Sequence, residues 1–588
     1  MCGFYGITGG SPEDVEQGLL KIQHRGPDSK GIAMLNNTIL GHVRLSILGL
    51  DAGYQPIKVE GGLLAFNGEI YNFKELIQKY EIDPGITSDT EVLVLLFNRL
   101  GWMQLLKEIQ GMFAIAIVLE NEILLARDRY GQKPLYYSTY KEAFQFGSDL
   151  LSFNVDRKIS NVDPTSLNYY MSFGFIPAPY SVWKGVAKLE PGQSLRYNIH
   201  TSEILKETYY SVFETTFKSS LSYSNLLGNA VDKHSISDVG SSMLISGGVD
   251  SSILASFSQR GTKFYTVKWK DSEYDESSNA LSVADHLKRE LNVIEPEEGN
   301  LETNLIEIID SLGEPFADDS MLSLDNVLKA VKLKGEKVVL SGDGADEIFS
   351  GYNRYNLDLY LKLIPEFVLR WLLNLYDSRT LRYTQIAKLI DLKRTKSVFE
   401  RHYKISQIVL TDDQRSEVLT DFTDIRTTLI SSMQALFKQS NHHWKNIFDL
   451  RFLVEGNMMV KGDRISMKNS LELRVPFLDE ALVTKAINQN SKHIRLGIKK
   501  FKLKYIFLKK FGLRRLQKKM GFGAPLLTDY NEEYSTILDS ILINKELQIW
   551  KLINQSETKR ILSEKSGNFK RLSFAIIVLA KWLEKELD

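Results

Sequence analysis

The 588-residue chain has a single cysteine, Cys2. That excludes an intrachain disulfide framework and any cysteine-rich metal site. It has no surplus of either charge, since 73 Lys and Arg face 73 Asp and Glu. A global attraction to nucleic acid or to an anionic membrane is therefore excluded, and neither is expected as a partner. No apolar run approaches the roughly 18–20 residues that span a bilayer; the best, residues 574–580, stops at Lys581. The start, Met-Cys-Gly-Phe-Tyr-Gly, lacks the basic-then-apolar order of a secretory signal. Histidine is sparse, and the adjacent pair His442-His443 has no third ligand at a recognised spacing, so both read as surface residues. These absences describe a soluble, cytoplasmic protein. What the chain does have is 29 Phe, 26 Tyr and 43% hydrophobic residues, enough to bury large cores.

The first two hundred residues carry short β-rich runs at 39–50, 62–66, 112–119, 122–126 and 143–147, separated by Gly, Asn and Asp. Helical patterns interrupt them near Phe73–Lys79 and Asp89–Leu100, the second with Val92, Leu95, Leu96 and Arg99 at helical spacing. This reads as a layered, sheet-rich α+β domain. A Ser-, Thr- and Tyr-rich stretch, residues 208–224, reads as a linker. Strand and helix then alternate: strands at 243–245, 263–269 and 337–340, helices at 251–258 and Ser277–Leu287. That alternation predicts a parallel sheet covered by helices. From about Leu357 onward the pattern is mostly helical. The stretch 492–519 holds twelve Lys or Arg and no acid. Ile498, Phe501, Tyr505 and Leu508 fall at helical spacing there, so it reads as an amphipathic helix with a solvated basic face.

Cys2 follows the initiator Met1 directly. Removal of Met1 leaves a thiol and a free α-amine on one residue. An α-amine, with a pKa of about 7.7–8.0, serves as a base near neutrality, and a thiol is a strong nucleophile. Three further segments accompany it. HRGPD (24–28) is a tight, charged turn; RLSIL (44–48) puts Arg44 at the start of an apolar strand; NGEIYN (67–72) carries a Gly at a turn after a strand. Together with SDTE (88–91), these motifs resemble the class II glutamine amidotransferase domain, an N-terminal-nucleophile hydrolase with an αββα fold. The resemblance implies that Cys2 attacks the glutamine amide, and that the Asn67 side chain and Gly68 N–H form the oxyanion hole, two donors aimed at developing charge. It implies that Arg44 grips the α-carboxylate, that Glu69 and Asp89 hold the amine, and that Ile47, Leu48 and Asn67 complete the glutamine pocket.

A second constellation is SGGVDSS (246–252), which joins an apolar strand to a helix. Successive glycines let N–H groups converge, the helix start adds positive potential, and Ser246, Ser251 and Ser252 offer hydroxyls. It is a phosphate cradle, but without the Lys-Ser/Thr ending of a Walker A loop. Another strand ends in SGDGADE (341–347), a Gly-spaced turn with three carboxylates. Two such loops at strand carboxyl ends point to a ligand crevice. The first resembles the pyrophosphate loop of N-type ATP pyrophosphatases, which implies ATP cleavage between the α and β phosphates, with Asp250 and Asp346 as Mg²⁺ ligands.

Taken together, the two halves resemble glutamine-hydrolysing asparagine synthetases of class B, as residues 1–212 (glutaminase) and 213–588 (ATP pyrophosphatase). GQKPLYY (131–137), KLEPG (188–192), YDES (274–277), KGDRISM (461–467), LELRVPFLD (471–479) and KKMGFGAPL (518–526) carry the match along the chain. The resemblance implies that Leu244, Val267, Ser341 and Gly342 hold adenosine. It implies that Ser246, Gly247, Gly248, Ser251 and Ser252 cradle phosphate, that Lys461 and Arg464 meet the pyrophosphate, and that Asp343, a Glu in some members, is a base for ammonia attack. It implies glutamine, aspartate and ATP as substrates, an internal ammonia tunnel, and a homodimer. Residues 316–325 lack the proline expected beside the acceptor, and residues 238–243 depart from the usual DVPxG lead-in. Amidation of another carboxylate, such as a uronic acid of a surface polysaccharide, stays open beside aspartate. A catalytically silent scaffold is disfavoured by the intact Cys2, Asn67, Asp250 and Asp346.

Overall fold

The computed structural model describes residues 2–139, 143–212, 220–269, 275–295, 300–375, 381–439, 443–488, 498–512, 531–563 and 569–587. KKMGFGAPL, Tyr274 of YDES, His442, and residues 492–497 and 513–519 of the basic stretch lie outside the described residues.

Among the described residues twelve strands build the amino-terminal half: β1 (Cys2–Thr8), β2 (Ser29–Leu35), β3 (Thr38–Arg44), β4 (Ile57–Val59), β5 (Gly62–Ile70), β6 (Gly111–Leu119), β7 (Glu122–Arg127), β8 (Tyr136–Ser138), β9 (Gln145–Gly147), β10 (Val186–Lys188), β11 (Gln193–Asn198) and β12 (Ile204–Thr208). They form two six-stranded sheets, ordered β10-β8-β9-β1-β3-β2 and β12-β11-β7-β6-β5-β4, in which every pairing is antiparallel. Strand alternation sorts the side chains. Phe4, Leu40, Ala65, Ala114, Ala116 and Leu125 fill one cluster between the sheets. Leu64, Phe66, Phe113 and Ile115 face the other way, onto helices Phe73–Lys79, Asp89–Leu100 and Trp102–Glu108. Tyr5, Ile7, Ile39 and Val43 pack with Val15 and Leu19 of helix Pro12–Lys21. The result is the expected αββα layering. Both faces of the central strands are covered, which is why they read as continuous apolar runs.

Two local expectations are corrected. The run 39–50 is not one strand. β3 ends at Arg44, opposite Cys2, where its partner β1 begins, so RLSIL leaves the sheet. Asn67, Gly68 and Glu69 lie within β5 rather than in a turn.

The carboxyl-terminal half holds β13 (Ser242–Leu244), β14 (Lys263–Val267), β15 (Leu291–Ile294), β16 (Val338–Leu340) and β17 (Glu472–Arg474). They form one all-parallel sheet ordered β15-β14-β13-β16-β17. The strand order reverses between β13 and β16, which places a crevice at their carboxyl ends. The two loops singled out in the sequence flank it. Helices make up most of the rest. One of them, Leu450–Met459, is wound as a π-helix and runs into helix Val460–Lys468. Among the described residues no helix is long and apolar enough to cross a membrane.

Candidate active sites

At the first site, β1 and β3 bring Cys2 and Arg44 directly opposite each other, and β5 supplies Asn67. The Cys2 backbone N–H donates to Asn67 Oδ1 at 3.2 Å, and Asn67 Nδ2 lies 3.4 Å from Ser148 Oγ. Gly68 has φ 151°, and a Cβ there would come within 2.0 Å of the Met112 carbonyl oxygen, so only glycine fits. Burial pushes the Cys2 thiol up, against the Leu45 N–H and the Arg44 charge, which favour the thiolate. A thiol so placed needs a base beside it.

Arg44 is itself buried. Its Nη2 donates to the carbonyls of Leu48 at 3.3 Å and Gly49 at 2.7 Å, and its guanidinium lies over Tyr54. Its Nη1 is buried with no hydrogen-bond partner. A buried, unsatisfied cationic donor is costly and is what a carboxylate ligand would relieve. Ile47 and Leu48 are buried in the loop that Asp238 fastens from the other half, accepting from Gly49 N–H at 2.8 Å and donating its own N–H to the Ile47 carbonyl. Asp89 accepts from the Ile70 N–H at 3.0 Å, and burial pushes its carboxyl up to about 6. Glu69 faces Arg474, with 3.0 Å between Oε1 and Nη2. Burial pushes Glu69 well above the usual carboxylate range, with Arg474 opposing.

At the second site, the loop after β13 folds on itself. Ser246 N–H donates to Ser251 Oγ at 3.2 Å, and Gly248 N–H donates to Ser246 Oγ at 3.3 Å. The Ser252 hydroxyl is fully buried and has no hydrogen-bond partner. A Cβ on Gly342 would lie 3.3 Å from Ser251 N, so the two loops touch. Leu244 and Val267 sit at the ends of adjacent strands β13 and β14. Ser341 Oγ donates to Asp343 at 2.9 Å. Lys461 reaches the same side, donating to Ser320 Oγ at 2.7 Å and to Asp318 at 3.2 Å, within the field of Asp343. Glu347 is fully buried, and burial lifts its carboxyl to about 7 against the hydrogen bond from Tyr352 at 2.5 Å.

Asp250 and Asp346 converge on one ammonium. Lys500 Nζ is 2.5 Å from Asp250 and 2.6 Å from Asp346. Lys500 holds left-handed backbone geometry, φ 50°, at the start of helix Phe501–Phe511. Such strain costs about 1–3 kcal/mol and is retained where the surroundings impose it. Sequence reasoning missed this residue. The helix is amphipathic as expected, but its apolar stripe is corrected: Leu503, Ile506, Phe507 and Phe511 pack inward, whereas Ile498, Phe501 and Tyr505 are exposed, and Lys500 of the basic run is buried. The available signal was an unbalanced basic run in a chain with a three-carboxylate loop. His443 is also buried, at the start of helix Trp444–Asp449, not on the surface.

Arg464 is not brought to the crevice. It pairs with Asp149 and lies 3.0 Å from Tyr136 Oη, both in the amino-terminal half. It belongs to a buried ionic seam with Arg25, Lys133 and Asp463.

Two carboxylates converging at the crevice fit Mg²⁺, a hard cation that takes oxygen ligands from one or two carboxylates. Among the described residues no cluster of three or more His, Cys, Asp or Glu could hold a metal alone.

Residues 1–210 match the glutamine amidotransferase domain family. With Cys2 opening the first strand of its αββα layers, the molecule is a glutamine amidotransferase carrying a second, parallel-sheet domain. Residues 222–584 match the asparagine synthase family. Asparagine synthetase [glutamine-hydrolyzing] 1 of Bacillus subtilis (strain 168) is 32% identical over 527 residues, covering 82% of this chain and 80% of its own. A Methanocaldococcus jannaschii protein is 31% identical over 527 residues, covering 81% of this chain and 100% of its own. A solved allosteric regulatory enzyme of purine biosynthesis aligns at TM-score 0.28 and 20% identity, covering 52% of this chain and 77% of that one. The chain belongs to the glutamine-hydrolysing asparagine synthetase family.

Proposed function

We propose that the chain makes asparagine from aspartate in the cytoplasm, using glutamine as nitrogen donor and ATP as activator. Residues 1–212 form the glutaminase half and residues 213–588 the synthetase half. Once Met1 is removed, the Cys2 α-amine takes the thiol proton and the sulfur attacks the glutamine side-chain amide. Asn67 Nδ2 and the Gly68 N–H hold the developing oxyanion. Arg44 takes the α-carboxylate, Asp89 with Glu69 the α-ammonium, and Ile47 and Leu48 wall the pocket. Ammonia leaves, and water releases glutamate from the thioester.

In the second half the aspartate β-carboxylate attacks the ATP α-phosphorus and expels pyrophosphate. Leu244, Val267, Ser341 and Gly342 hold the adenosine, and residues 246–252 cradle the phosphates. Asp250 and Asp346 would hold Mg²⁺, which neutralises phosphate charge when bound. Lys500 and Lys461 offer ammonium groups to the departing pyrophosphate. Ammonia then attacks the aspartyl-adenylate, Asp343 accepts its proton, and AMP leaves. Holding the reactants in one crevice supplies much of the rate.

The observation that carries this reading is the convergence of Asp250, Asp346 and Lys500 at the sheet's switch point, in the same chain as the Cys2–Asn67 pair. Its test is product analysis by mass spectrometry after incubation with glutamine, ATP, Mg²⁺ and aspartate. Asparagine, AMP and pyrophosphate in equal yield are expected. Cys2→Ala should abolish glutamine use and spare free ammonia. Loss of both in a folded Cys2→Ala protein would overturn the two-site scheme, and glutamate release without AMP would exclude aspartate as the acceptor.

A further inference from the structure

Arg474 is completely buried and joins three segments of the chain. Its Nη2 meets Glu69 at 3.0 Å, at the end of β5 beside Asn67 and Gly68. Its Nε donates to Glu472 at 2.5 Å, and its Nη1 to the carbonyls of His234 at 3.0 Å and Ile236 at 2.5 Å. Its own carbonyl accepts the Ser341 N–H at 2.9 Å, the first hydrogen bond of the loop 341–347. β17, which carries Arg474, is three residues long and pairs Leu340 with Arg474 at the edge of the sheet. One residue therefore touches the glutamine site with its side chain and the ATP loop with its backbone.

Given glutamine at the Cys2 site, as proposed above, we propose that Arg474 is a positioning residue that couples occupancy of the glutamine site to the geometry of the loop 341–347. The bound α-ammonium competes with Arg474 for Glu69. The guanidinium is a rigid planar fork, so loosening one arm turns the whole plane toward Glu472 and the His234 and Ile236 carbonyls. A three-residue strand has little length over which to absorb that turn, and Ser341 hangs on it. Linkage makes the effect reciprocal: ATP at the loop alters glutamine affinity by the same factor as glutamine alters ATP affinity.

The test is isothermal titration of a Cys2→Ala protein, which binds glutamine without turning it over. Glutamine is titrated with and without saturating ATP and Mg²⁺, with no acceptor present. The expected result is a glutamine affinity changed fivefold or more by ATP. Arg474→Lys keeps the charge but not the fork, and should reduce that ratio below twofold while ATP alone binds within threefold of the parent, which also certifies the fold. Should Arg474→Lys fail to fold, Glu69→Gln weakens the same pair from the other end. It should lower glutamine affinity, and at saturating glutamine leave ATP affinity unresponsive. A parental ratio near one, or an undiminished ratio in either variant, overturns the coupling. Absence of any glutamine binding to the parent instead overturns the function proposed for the first half.

Discussion

Asp250 and Asp346 come from loops almost a hundred residues apart, yet share the ammonium of Lys500 at 2.5 and 2.6 Å. Without that cation the two carboxylates would repel each other across the crevice. Lys500→Met should therefore lower ATP-dependent pyrophosphate release by about 10²–10³-fold, the scale of losing one charge-stabilising donor. Glutaminase activity should stay within a factor of about two. Pyrophosphate release at the parental rate would reduce Lys500 to a structural tie. Asp89 gives a second expectation at this scale. Burial raises its carboxyl to about 6, above its ordinary 3.8. Between those values the folded protein keeps a proton that the unfolded chain gives up, so this group's stabilising effect is present in acid and fades as pH rises through 6. Only the ionised form can hold an ammonium. Glutaminase kcat/KM should thus fall on the acid side of pH 6, and Asp89→Asn should remove that limb while raising KM for glutamine. A limb unchanged in Asp89→Asn would assign it to another group. Cys2, Arg44, Asn67 and Asp89 could be picked out as candidates because each stands in a short motif. Lys500 was not, because a lone lysine in a basic run carries no motif, and its partners lie about 250 and 154 residues away in the chain.

Elements fix what residues can reach. The turn after helix Ala345–Ile348 brings Gly351 against the lysine–carboxylate cluster: its N–H donates to the Asp346 carbonyl at 2.8 Å, and the Lys500 N–H donates to the Phe349 carbonyl at 3.2 Å. A Cβ on Gly351 would fall 1.7 Å from Asp346 Oδ1 and 2.4 Å from Lys500 Cε. Gly351→Ala must therefore push the two groups apart. It should cut ATP-dependent pyrophosphate release by at least about tenfold, equivalent to 1.4 kcal/mol in the barrier, with glutaminase activity retained. Equal loss of both activities would mean global misfolding instead. Several elements of the fold were legible: helices Phe73–Lys79, Asp89–Leu100 and Ser277–Leu287 carry clear periodicity, and β6 and β7 carry clear apolar runs. β15 and β17 were not. They are four and three residues long, and a sheet recruits such segments through partners that no local pattern announces. The π-helix Leu450–Met459 was equally silent in the sequence, although it turns Glu455 toward Arg127 at 2.9 Å.

The whole molecule is joined along a buried ionic seam rather than by an apolar face alone. Asp149 of the amino-terminal half lies 3.6 Å from Arg25 and pairs with Arg464; Asp463 lies 2.9 Å from Arg25 and 3.4 Å from Lys133; Lys188 lies 2.5 Å from Glu314. Because these groups are almost fully dehydrated, added salt should weaken them little, unlike surface pairs. Removing one member is a different matter, since its partners keep their buried charge. Asp149→Asn should destabilise the protein by about 3–5 kcal/mol, the usual cost of breaking such a pair from one side. Urea denaturation should show this as a lower midpoint, and the unfolding of the two halves, monitored separately by glutamine and ATP binding, should come apart. A loss under about 1 kcal/mol would mean that the seam relaxes as a surface pair does. Acid provides the matching measurement. Burial alone would raise the Asp463 carboxyl, but Arg25 and Lys133 outweigh it and hold it below its ordinary 3.8. Its stabilising effect is therefore complete above that value and is lost as pH falls through the depressed folded value. If the seam is what binds the halves, the loss of stability in acid should be smaller in Asp463→Asn than in the parent, because the variant has already lost the carboxylate that acid would protonate.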